Sequence, residues 1–139
     1  MVKKEIIAID GIQKSDLPFN HVIKAGDTLY LTSQLSCNLH TGEILPGSIQ
    51  TQTRNTMNNI RYLLENSHSS MDSIVDITVY LRHLDDFKDM NEVYKEYFTR
   101  GEEPARVVVK AESPLENVDV EIKVTAIADN ASNQPLKGT

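Results

Sequence analysis

Arg106 and Glu121 are the two side chains of this 139-residue chain whose types best suit chemistry on a small anion. A guanidinium presents a planar fork that grips a carboxylate through two parallel hydrogen bonds. A carboxylate on the same face could flank that ligand together with it. As residues alone, the two also fit a structural or surface ion pair, which is worth only ~0–1 kcal/mol when exposed. Both readings stay open at this point. The other reactive types are less organised. His21, His40, His68 and His83 lie in separate segments without short metal-ligand spacing, so no metal site is expected. Cys37 has no base signalled nearby, and thiol reactivity needs a depressed pKa. Ser33 and Ser36 lack a nucleophile-elbow context.

Composition narrows the partners. Fourteen basic residues against twenty acidic ones give a net charge of −6. Apart from Lys3-Lys4 the basic residues are scattered singly, so there is no stripe to follow a phosphate backbone, and nucleic acid is disfavoured. No apolar run approaches the roughly 18 residues that span a bilayer. The apolar stretch after Lys3-Lys4-Glu5 is only Ile6 to Ile9, shorter than a secretory signal requires. A lone cysteine excludes an internal disulfide and fits a reducing cytoplasm, the expected location. The length predicts one domain over residues 1–129, followed by a polar tail over 130–139.

The elements that must position these residues follow from periodicity and turn chemistry. Glu5–Ile9 predicts a first strand. His21–Ala25 and Thr28–Leu35 flank Gly26-Asp27, a pair suited to a type II′ hairpin. Ser48 predicts the N-cap of a helix running to about Glu65, with a buried stripe of Ile49, Thr53, Met57, Ile60 and Leu64. Ile74–Leu81 reads as a strand. Asp85 or Asp86 then caps a second helix with stripe Phe87, Met90, Tyr94 and Tyr97 or Phe98, closed by Gly101. That aromatic stripe is expected to be core packing. Arg106–Ala111 and Val118–Ala128 complete the order β-β-β-α-β-α-β-β. Right-handed crossovers then place both helices on one face of a mixed sheet.

Alternation splits each strand into two sets. Leu29, Leu31, Val75, Ile77, Val79, Val107, Val109, Val118, Val120, Ile122 and Val124 form the set expected to meet the helices. The opposite set is Tyr30, Thr32, Gln34, Asp76, Thr78, Tyr80, Arg106, Val108, Lys110, Asp119, Glu121, Lys123 and Thr125. If the last two strands form an antiparallel hairpin, Arg106 and Glu121 share the uncovered face, at cross-strand diagonal distances of roughly 7–8 Å. A face of mixed charge and hydroxyls also suits burial against a copy of itself, with a pocket between subunits.

From Leu17 to Ala128 the chain resembles the RidA/YjgF family of reactive intermediate imine deaminases. The resemblance is carried by Leu17-Pro18-Phe19-Asn20-His21, Leu29–Leu35, Thr41-Gly42-Glu43, Gln52-Thr53-Arg54 with Asn58-Asn59-Ile60, Phe87 with Asn91-Glu92-Val93-Tyr94 and Tyr97-Phe98, Pro104-Ala105-Arg106, and Val120-Glu121-Ile122 with Ala126-Ile127-Ala128. It implies a chorismate-mutase-like α+β fold with a mixed six-stranded sheet, and a homotrimer with active sites at the subunit interfaces. It further implies hydrolysis of enamines or imines such as 2-aminoacrylate to 2-keto acids and ammonia, without a cofactor. On that resemblance Arg106 holds the substrate carboxylate and Glu121 activates water. Thr32 hydrogen-bonds substrate or water, Phe19 forms an aromatic wall, and Asn91 supports the pocket.

The chain departs from the family pattern at four places. Phe19 stands where tyrosine is usual, and Thr32-Ser33-Gln34 replaces Ser-Gly-Gln, so that Ser33 adds a Cβ beside the pocket. Val108 occupies a position where some members have cysteine, and His68 one that is often glycine. Two other functions compete with the deaminase reading. One is a non-catalytic trimer that binds 2-keto acids or related metabolites and regulates a partner. The other is an endoribonuclease, against which the acidic charge argues.

Overall fold

The computed structural model describes residues 3–129, so the expected tail over 130–139 lies outside the described residues. Strands β1 (Lys4–Ile6), β2 (Val22–Ala25) and β3 (Thr28–Leu31) precede helix α1 (Ile49–Glu65). Strand β4 (Ile74–Leu81), helix α2 (Phe87–Tyr94), β5 (Ala105–Lys110) and β6 (Val120–Ile127) follow. They form a mixed six-stranded sheet in the order β1-β2-β3-β6-β4-β5, an α+β architecture. No helix among the described residues is long and apolar enough to cross a membrane.

Local chemistry accounts for the well-defined elements. Ser48 caps α1 by accepting from the Thr51 N–H at 3.1 Å. Ile49, Thr53, Met57, Ile60 and Leu64 are all buried, as their spacing predicts. Ala25 pairs with Thr28 across Gly26-Asp27, and Gly26 has φ +60°, the conformation a type II′ turn demands of its first central residue. The helix-side layer joins Leu29, Leu31, Ile77, Val79, Leu81, Ile122 and Val124 to Met57, Ile60 and Leu64 of α1 and Met90 of α2.

Four expectations need correction. The last two strands do not form a hairpin: β4 lies between them, parallel to β5 and antiparallel to β6. The nine-residue span between β5 and β6, residues 111–119, is long enough to carry the chain past the end of β4. Second, the faces of β5 are reversed. Arg106 is in register with Ile77 and Val108 with Val79, so both point toward the helix layer. Val107 is 50% exposed on the other side. Third, bulges move Val75 and Gln34. A register shift between Ile74 and Asp76 turns Val75 outward, while Gln34 bridges to Ile122 and is buried. Fourth, α2 ends at Tyr94 and passes into a 3-10 turn over Lys95–Tyr97, so Gly101 sits in a later turn rather than closing the helix.

Candidate active site

The expected site residues separate into two groups. Phe19, Thr32, Ser33 and Glu121 line one cavity of about 550 Å³. Arg106, Asn91 and Val108 lie elsewhere, where edge strand β5 meets α2. The division follows from the register. Glu121 pairs with Tyr80 and Arg106 with Ile77, positions of opposite parity on the shared neighbour β4. The two side chains therefore project from opposite faces of the sheet, and an ion pair between them within the chain is excluded.

The arginine group is built on one face of α2. Phe87, Asn91 and Tyr94 recur at spacings of four and three, so they line up under β5. The Arg106 guanidinium lies 4.7 Å from the centre of the Tyr94 ring and 5.9 Å from that of Phe87. One of its N–H groups donates to Asn91 Oδ1 at 2.6 Å. Arg106 takes part in none of the ion pairs among the described residues. The fork is thus held by two rings and a neutral amide, with its charge uncompensated and the residue exposed. Such cation–π support is worth roughly 0.5–2 kcal/mol. Burial pushes the Tyr94 phenol up to about 12, with the Arg106 charge pulling the other way. The aromatic stripe of α2 therefore orients the arginine as well as packing the core. Val108, two residues along, is half-buried against that core.

The cavity group is assembled by the segments before β2 and after β3. Lys14 Nζ donates to the Phe19 carbonyl at 3.2 Å and closes the first segment. The Phe19 and His21 rings meet edge to face at 5.5 Å. Burial lowers the His21 pKa, the Gln13 backbone opposes the shift, and the Lys14 charge adds to it. Leu17, Leu35, Leu39, Ile44 and Leu115 give the cavity apolar walls. Ser33 Oγ donates to Glu121 Oε1 at 3.0 Å, the one cross-strand hydrogen bond between site residues in this group. Ser33 is not among the residues with positive φ, so its Cβ is accommodated without backbone strain. Cys37 also lines the cavity, and burial pushes its thiol up, away from nucleophilic character.

Two asparagines of α1 hold the cavity wall. Asn59 Nδ2 donates to the Leu35 and Cys37 carbonyls at 3.1 and 2.9 Å, and Asn55 Nδ2 to Ser36 Oγ at 2.9 Å. Their roles are absent from the sequence reading. The available signal was the residue type: asparagine is a poor helix former, so several within a 17-residue helix suggest work outside it. His21 and Lys14 were also missed as cavity residues. The remaining histidines do not converge. Among the described residues no three His, Cys, Asp or Glu side chains cluster in a way that could hold a metal ion.

Comparison with known proteins places the chain in a family. The family profile described as Endoribonuclease L-PSP matches residues 12–128. A RutC family protein of Pyrococcus horikoshii is 39% identical over 123 residues, covering 88% of this chain and 97% of its own. A 2-iminobutanoate/2-iminopropanoate deaminase of Dermatophagoides farinae is 28% identical over 129 residues, 93% of this chain and 100% of its own. The crystal structure of YyfA from Yersinia pestis, described as a conserved Rid family protein, superposes with a TM-score of 0.83 at 27% identity, covering 91% of this chain and all of that one. The chain therefore belongs to the endoribonuclease L-PSP family, the RidA/YjgF or Rid family.

Proposed function

We propose that the protein hydrolyses enamine and imine intermediates of the 2-aminoacrylate type to 2-keto acids and ammonia, at sites completed between subunits of a cytoplasmic homotrimer. The observation that carries this reading is the uncompensated, ring-clamped Arg106 fork at the open edge of the sheet. A fork so held suits an incoming carboxylate, because the Asn91 oxygen that accepts from it is that of a neutral amide. Glu121 then serves as base. Water adds to the imine carbon as the carboxylate takes one proton and passes it to nitrogen, giving a carbinolamine; the same carboxylate then carries the hydroxyl proton to the amine as the C–N bond breaks, releasing ammonia and the keto acid.

Because Arg106 and Glu121 face opposite ways, the arginine of one copy must meet the cavity of the next. The face not covered by helices also calls for a partner. It carries Tyr30, Val107 and Ile127, each about half exposed, as apolar surface in need of cover. Closed symmetric assembly satisfies both requirements at once. Thr32 and Phe19 would then contact the substrate from the cavity side, and Val108 would lie beside its carboxylate.

The D. farinae relative's deaminase activity supports the chemistry. The ribonuclease description carried by the family finds little support in a chain of net charge −6. Ammonia release from enzymatically generated 2-aminoacrylate tests the proposal. Turnover by the wild-type protein and its loss in Arg106→Ala are expected. Full activity in that variant, or keto-acid binding with no turnover of any amino-acid-derived imine, would overturn it, the latter in favour of a non-catalytic binder.

A further inference from the structure

Ser33 sits on a braced kink. Tyr30 pairs with Thr125 and Gln34 with Ile122, so the β3 side carries one residue more than β6 between these pairs. Such a bulge re-aims side chains, and its neighbours fix this one firmly. Gln34 exchanges both backbone hydrogen bonds with Ile122, at 2.8 and 2.9 Å. The Gln34 side-chain amide donates to the Thr32 carbonyl at 3.0 Å, and Lys123 Nζ donates to the Leu31 carbonyl at 2.5 Å. The Thr32 N–H is held by the His21 carbonyl at 3.0 Å. The backbone is therefore pinned on both sides of Ser33, and its hydroxyl meets Glu121 Oε1 without freedom to wander.

We propose that Ser33 is a positioning residue for the reaction: its hydroxyl locks the Glu121 carboxylate in the rotamer that presents Oε2 to the attacking water. This rests on the deaminase reading above. Three observations converge on it. The bond is charge-assisted, so it outweighs a neutral one in fixing a rotamer. The pair stands where the 550 Å³ cavity adjoins a second of about 360 Å³, since Ser33 and Glu121 line both, and an untethered carboxylate would have room to turn into either. Among the described residues no other side chain hydrogen-bonds to Glu121, so the serine alone supplies the restraint. A glycine at position 33 would leave the base without it. The added hydroxyl is thus a substitution with a function, and substrate contact is not required of it.

The test compares wild type, Ser33→Ala, Ser33→Thr, Glu121→Gln and the Ser33→Ala/Glu121→Gln double variant in the 2-aminoacrylate assay. Ser33→Ala is expected to lower kcat roughly 10-fold with KM little changed, the size of effect a single charge-assisted hydrogen bond supplies. Ser33→Thr, which keeps a hydroxyl, should restore most of that loss. In the Glu121→Gln background Ser33→Ala should do nothing further, because the group it positions is gone. A merely structural serine would shift the melting temperature and lower activity equally in both backgrounds. Wild-type kcat in Ser33→Ala, with Glu121→Gln reduced to a low residual rate, would overturn the positioning role and leave the deaminase reading intact. Absence of turnover in the wild-type protein would overturn both.

Discussion

Arg106 is in register with Ile77 on the helix side of the sheet, and Glu121 with Tyr80 on the side the helices leave open. On the proposed reaction, one chain therefore offers an edge for the substrate carboxylate and a separate cavity for the base. Neither half would then suffice for hydrolysis, and the proposed oligomer would bring the two together.

On the proposed reading, Asn91 controls how available the arginine is. Its amide oxygen engages one N–H of Arg106 at 2.6 Å and adds no charge. Asn91→Ala should raise KM about 10-fold through loss of one hydrogen bond to a charged group, with kcat less affected. Asn91→Asp should be worse, because a carboxylate beside the guanidinium competes with the substrate's own. Steady-state kinetics of the two variants decide this, and equal KM values would argue against the role given to Arg106.

His21 makes stability pH-dependent. Burial lowers its pKa in the folded chain, so on acidification through the ordinary histidine value of about 6.5 the unfolded state binds a proton first. Stability should therefore fall as pH drops from neutral toward the folded-state value and level off below it. Urea denaturation at a series of pH values should show this decline in wild type and a smaller one in His21→Gln.

His68 closes the first turn after α1 with φ +59°, in the left-handed region, and its carbonyl accepts from the Asp129 N–H at 2.7 Å. Glycine keeps the backbone bond and removes the Cβ strain. The relief of ~1–2 kcal/mol is partly offset by the greater freedom of glycine in the unfolded chain. His68→Gly should stabilise the protein by about 0.5–1 kcal/mol, measured as a higher denaturation midpoint with unchanged slope.

Periodic segments made most of the fold legible. Helix α1 announced both its cap and its stripe, and Gly26-Asp27 fixed the β2–β3 register. Strand β5 could not be assigned in the same way. Arg106-Val107-Val108-Val109-Lys110 has three consecutive valines, which read equally well on either parity, so only the pairing with β4 decides which way the arginine points. Bulges hid Val75 and Gln34 for the same reason: one extra residue inverts the alternation, and nothing in the local sequence marks it. Residue types pointed to both groups of the candidate site, while their separation depended on strand order, a long-range property.

Subunit mixing tests the central claim, that Arg106 and Glu121 act together only across two copies. Arg106→Ala and Glu121→Gln proteins, each with at most a low residual rate alone, are unfolded together in equal amounts and refolded, and ammonia release is measured. Random assembly of closed rings in which each site takes its arginine from one subunit and its glutamate from the next should restore roughly a quarter of the wild-type rate. A mixture as inactive as its components, with assembly confirmed, would contradict the account.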